Sequence, residues 1–162
     1  METTATATAS IINKEELLKH YFGHRFLTRR TIELFPEDAF FTFSIGGMRT
    51  AAQLTTELLS IAGPALKAIA DSEDVPHTEP NLPESKAEYL KKWDEADEEI
   101  KKYWAQIPEE RFPEMFNLFG QYNFPILHNV LYFIDNEIHH RGQMFVYLRA
   151  LDIEPPFFWE RW

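Results

Sequence analysis

Apolar residues recur at helical spacing in four long stretches of this chain, and most of its prolines fall in the segments between them. An amphipathic helix must bury its apolar stripe against another element. Four such stretches, with no β alternation of useful length, therefore predict an all-α four-helix bundle. No internal repeat divides the sequence, and 162 residues with 44% hydrophobic content predict a single domain with a substantial core.

The first stretch runs from about Lys14 to Leu34, with Asn13 as its N-cap and Phe35-Pro36 as its stop, because a residue before proline avoids helical geometry. Gly46-Gly47 marks a loop. The second runs from about Arg49 to Ala70 on a stripe of Leu54, Leu58, Ile61, Ala65 and Leu66 that also contains Glu57; Gly63-Pro64 should bend or break it. A long connection from Asp71 to Glu84, carrying Pro76, Pro80 and Pro83, predicts a surface crossover in which His77 reads as solvated.

The third stretch, about Ser85 to Gln106, places Tyr89, Trp93, Ile100 and Trp104 on one side. An aromatic-rich connector from Pro108 to Asn123 is expected to hold a short helix around Glu114 to Phe119. The fourth and longest begins near Phe124-Pro125 and continues to about Leu151. Residues 1–12 are expected to fray. The tail over 152–162, with two prolines and four aromatics, is expected to pack on the bundle or on a second subunit.

A net charge of −10 opposes binding to a phosphate backbone, so nucleic acid is not an expected partner. There is no cysteine, which excludes thiolate ligands, cysteine nucleophiles and disulfides and suits a reducing cytoplasm. The N-terminal residues lack the pattern of a signal peptide, and no apolar run approaches the ~20 residues that span a bilayer, so a soluble cytoplasmic protein is expected.

The fourth helix is interrupted by Asp135-Asn136-Glu137-Ile138-His139-His140-Arg141-Gly142-Gln143. At about 100° per residue, Leu127, Val130, Leu131, Ile134, Ile138, Phe145 and Leu148 define its core-facing side, with Glu137 inside that arc and His140 at its edge. Glu137 and His140 stand at i, i+3, and Asn136 and His140 at i, i+4, spacings that let either pair converge on one ion.

Glu57, on an apolar face, needs a cation or a proton; a salt bridge to Arg49 or Arg141 is one answer and a metal ion another. His20 and His24 share i, i+4 spacing but lack an acidic companion, which favours packing over ligation. Gly142 costs about 1 kcal/mol of helix propensity, and close helix contact would explain it. No phosphate-binding loop, nucleophile elbow or His-Glu-x-x-His sequence is present.

The run His139-His140-Arg141-Gly142-Gln143, followed by Val146-Tyr147-Leu148-Arg149-Ala150-Leu151 and Ile153-Glu154-Pro155-Pro156, resembles the DinB superfamily, as do Gly47-Met48-Arg49-Thr50 and the order of four helices. The resemblance implies a four-helix bundle with a long crossover between helices two and three. It further implies a homodimer and a divalent metal held by three histidines. Here the ligand positions carry Glu57, Asn136 and His140, so two of the three histidines are replaced, and Glu137 is a substitute or supporting acid.

A carboxylate, an amide oxygen and one imidazole suit zinc, nickel, manganese or iron. Some relatives transfer a small thiol to an electrophilic small molecule. The resemblance therefore implies a metal-dependent thiol S-transferase, with Arg141 steadying a carboxylate. Two alternatives stay open: a non-catalytic dimeric bundle whose polar cluster is structural, and metal-assisted hydrolysis with Glu137 as the base.

Overall fold

A computed structural model describes residues 11–162. Most of the start expected to fray, residues 1–10, lies outside the described residues. Helix α1 (Lys14–Leu34) opens with reciprocal caps: the Asn13 side chain accepts the Glu16 N–H, and the Glu16 carboxylate accepts the Asn13 N–H. It stops at Phe35, ahead of Pro36. A six-residue helix α2 (Glu37–Thr42), not foreseen in the sequence, follows before Gly46 and Gly47 turn the chain with positive φ.

Helix α3 (Ala51–Asp71) is capped by Thr50 and Gln53 and runs through Pro64 without the break that was one of the two outcomes expected there. Pro64 lies on the exposed side, while Leu58, Ile61, Ala65 and Leu66 are buried and hold the helix on its other side despite the lost N–H. Helix α4 (Lys86–Gln106) begins at the Ser85 cap, and α5 (Ile126–Ala150) is the longest at 25 residues.

The connector before α5 corrects the short-helix expectation. After a 3₁₀ turn at Glu109–Arg111 it forms an antiparallel hairpin, β1 (Met115–Leu118) and β2 (Tyr122–Pro125), with Met115 opposite Pro125 and Leu118 opposite Tyr122. Phe119 and Gly120 both take positive φ at its turn, closed by the Gln121 N–H on the Leu118 carbonyl. Four-residue strands are too short to show alternation in a sequence.

The long helices close a ring in which α1 touches α4 and α5, and α3 touches the same two. The core is split in two. One cluster gathers Leu17, Tyr21, Ile61, Leu66, Ile100 and Val130; the other gathers Ile32, Leu54, Leu58, Trp93, Met144 and Leu148. Helices α1 and α5 pass from the first cluster to the second, whereas α3 and α4 pass from the second to the first. The crossover over 72–85 thus joins parallel neighbours. Between the clusters lies a polar layer containing Arg25, Thr28, Glu57, Asp97, Glu137, His140 and Arg141. Among the described residues, no helix is long and apolar enough to cross a membrane.

Candidate functional site

The polar run of α5 fills its buried face more fully than the apolar arc implied. Asn129, Val130, Phe133, Ile134, Asn136, Glu137, His140, Arg141 and Met144 are buried, whereas Leu127, Leu131 and Ile138, expected to face the core, are 36–40% exposed. The buried stripe is rotated from the arc centred on Leu131 because several of its members are polar and carry no weight in a hydrophobic count.

Toward α3, His140 meets Glu57. Its Nε2 lies 3.0 Å from Glu57 Oε1, and its Nδ1 lies 2.8 Å from Gln143 Oε1. The amide oxygen only accepts, so Nδ1 carries the proton, and Nε2 and the Glu57 oxygen then need a proton or a cation between them. Arg49 pairs with Glu57 Oε2, realising one of the two salt bridges weighed for this acid. Burial alone would raise the Glu57 carboxyl, but the hydrogen bonds and charge of His140 and Arg49 hold it below its ordinary value.

Asn136, one turn before His140, is 8% exposed and makes no side-chain hydrogen bond among the described residues. No group of three or more His, Cys, Asp or Glu side chains among the described residues could hold a metal ion, so Glu57 and His140 are joined by no third side chain of these types. Beside Glu57 opens a cavity of about 230 Å³ whose wall includes Ile61, His77, Glu79, Tyr122 and Tyr132. His77, read from sequence as solvated, is exposed but folded onto α3. Its Nε2 lies 3.0 Å from Ser60 Oγ, and Ser60 donates to the Glu57 carbonyl at 2.7 Å.

Toward α1, the other half of the run builds a separate network. Glu137, fully buried, accepts from Thr28 Oγ1 at 2.7 Å and faces Arg25 Nη1 at 3.4 Å. Both its oxygens are engaged on α1, away from the proposed ligand group. Arg25 also binds Asp97 and stacks its guanidinium 4.0 Å from the Trp93 ring centroid. Burial raises the Glu137 and Asp97 carboxyls against the pull of Arg25.

Arg141 likewise turns to α1, donating to the His24 carbonyl at 3.1 Å and to Thr28 Oγ1 at 3.2 Å. Gly142 has no neighbour within 4 Å of where a Cβ would stand, so close helix contact does not explain it. The tail packs on the bundle through Trp162, whose ring lies against Gly23 of α1, and Arg161, which reaches His24.

The model of the DinB family matches residues 1–162. The crystal structure of a DinB-like protein from Bacillus cereus ATCC 10987 superposes with a TM-score of 0.74 at 15% identity, covering 90% of this chain and 97% of that one. No curated protein matches.

Proposed function

The chain belongs to the DinB family, and from that premise we propose that it binds one divalent metal ion through Glu57, Asn136 and His140, beside a small-molecule cleft. One observation carries the reading: Glu57 Oε1 and His140 Nε2, supplied by two helices, meet at 3.0 Å as a carboxylate and an imidazole nitrogen that share either a proton or a metal cation. Two ligands of one zinc-like ion stand roughly 3.3 Å apart for bonds near 2.1 Å, so the pair needs little movement to share one. Asn136, one turn before His140 and without a side-chain hydrogen bond among the described residues, adds an amide oxygen, and Gln143 fixes the His140 tautomer from behind. Arg49 has to release Glu57, which its 43% exposed side chain permits.

The activity this arrangement suits is transfer of a small thiol to an electrophilic carbon, as the family resemblance implies. A divalent ion held by Glu57, Asn136 and His140 would supply a lowered pKa to a bound thiol. The chain's own contribution is the cleft. Ile61 and Tyr132 exclude water from the thiol's body. With Ser60 donating to the Glu57 carbonyl, His77 donates through Nε2 and keeps its Nδ1 lone pair to accept the thiol proton. A sulfur–carbon bond forms as the leaving group departs with its bonding pair.

The second reading is a structural cluster, favoured by the Arg49–Glu57 pair. Elemental analysis of the tag-free protein and its His140→Ala variant, after dialysis and reloading, separates the two. Near-stoichiometric metal in the parent and loss in the variant is the expected outcome; no metal in either leaves the structural cluster. A homodimer is part of the same proposal, with the exposed Leu127, Leu131, Ile138 and Val146 face of α5 as its contact surface.

A further inference from the structure

The α1 side of α5 carries a second cleft, of about 510 Å³, between the two helices and the C-terminal tail. Its polar lining is His20, His24, Arg141 and Arg161, and no acidic side chain is among the lining residues. That is an unexpected balance in a chain with 26 acidic residues against 16 basic ones. Neither Arg141 nor Arg161 forms an ion pair among the described residues, while Arg25, Arg29, Arg30, Arg49 and Arg111 all do.

The cleft also has more donors than acceptors. Arg141 Nη2 lies 3.0 Å from His24 Nδ1, and Arg161 Nη1 lies 3.1 Å from His24 Nε2. A neutral imidazole accepts at one nitrogen only, so the two guanidinium groups cannot both be satisfied by this ring. His20 Nε2 stands 3.2 Å from the same His24 nitrogen and adds to the competition. Arg161 Nε is buried and has no hydrogen-bond partner among the described residues. Burial, then the charges of Arg141 and Arg161 with His20 between them, lower the His24 ring to about 3, so it remains neutral beside them.

A surplus of N–H donors and positive charge is answered by a group that only accepts and is negative. The remaining walls are Ile138, Phe145, Phe158 and Trp159, which offer apolar and aromatic faces. Gly142 leaves its side of the cleft open, and Trp162, seated on Gly23, fixes the tail that carries Arg161. With His24 neutral and Arg141 partly spent on the His24 carbonyl and Thr28, the available charge matches a planar monoanion better than a phosphate.

We propose that this cleft binds a small aromatic carboxylate, its carboxylate spanning Arg141 and Arg161 and its ring against Phe158 and Trp159. The site is independent of whether Glu57 and His140 hold a metal.

Isothermal titration of the full chain with naphthoate tests it, beside the uncharged naphthylmethanol, inorganic phosphate, and the variants Arg161→Gln and Gly142→Leu. The expected result is saturable one-site binding of naphthoate and none of the alcohol. Affinity should fall about tenfold or more in Arg161→Gln, the scale of one lost charge-assisted hydrogen bond. Gly142→Leu, which keeps both arginines and fills the cleft, should lose binding at an unlowered unfolding temperature. Equal binding of the alcohol, phosphate binding in place of naphthoate, absence of naphthoate binding, or unchanged affinity in both variants would each overturn the proposal.

Discussion

The two sides of α5 use the same polar run in opposite ways. On the α3 side, Glu57 borders an open cleft and pairs with His140, and the counter-ion Arg49 is half in solvent, so the acid can exchange partners. On the α1 side, Glu137 and Arg25 are sealed, each about 1% exposed at the side chain, with Thr28, Asp97 and Trp93 completing their shell. Neighbouring residues of one helix turn thus separate into an adaptable site and a fixed one. Access to water, rather than residue type, makes that separation.

The largest test of the contrast is Arg25→Met. Removing one partner of a buried ion pair leaves Glu137 and Asp97 without their cation, and a loss of about 3–5 kcal/mol is expected in chemical denaturation. A loss below about 1 kcal/mol would put the α1 side in the same class as a surface pair and remove the contrast.

Acidification comes next. The unfolded chain protonates His24 near its ordinary value of 6.5, whereas the folded ring resists until about 3. Between those values the unfolded state binds more protons, so stability falls as pH falls. Glu57, held below its ordinary value by His140 and Arg49, keeps its contribution until lower pH. Thermal unfolding from about pH 7 to about pH 5 should therefore show a declining midpoint, and His24→Gln should flatten the decline. An unchanged slope in that variant would move the acid sensitivity elsewhere.

Glu57→Gln should be milder, about 1 kcal/mol in denaturation, because Arg49 is exposed and an amide N–H can donate to His140 Nε2. Metal binding should nevertheless be lost with the carboxylate charge. A loss comparable with that of Arg25→Met would show the α3 side to be as rigid as the α1 side.

How far the sequence reveals this division depends on the range of each signal. The start of α1 was legible at Asn13 because a cap acts within three residues; Thr50 and Ser85 cap α3 and α4 in the same way. Phe35-Pro36 was equally local as a stop. Of the bend or break expected at Pro64, the break did not occur because tertiary burial outweighs one missing hydrogen bond, and the hairpin at Phe119-Gly120 lay below the length at which alternation can be read. That Glu57 meets His140 came from family resemblance, since the two are 83 residues apart. Nothing in the periodicity indicated that Glu137 and Arg141 turn to α1, because a hydrophobic stripe does not say which neighbour a buried charge will find. His77 was missed for the same reason: its bond to Ser60 exists only once the crossover is laid on α3.

Gly142 gives the smallest and cleanest test, since it lines the α1-side cleft while its Cβ position touches no other side chain. A Cβ there meets nothing within 4 Å, so Gly142→Ala should recover the helix propensity that glycine forfeits, a gain of about 0.5–1 kcal/mol. It should leave both the Glu57 pair and the Arg141 network unmoved, because the added methyl points into open space beside α5. A measured gain with unchanged metal binding and weakened naphthoate binding would mean that the glycine serves the width of the cleft and not the packing of the bundle. A loss of stability would instead require a surface that closes over α5 at this point. The face next to it, Ile138 and Val146, is where a second copy would lie, so the sign of this one substitution also tests the proposed dimer.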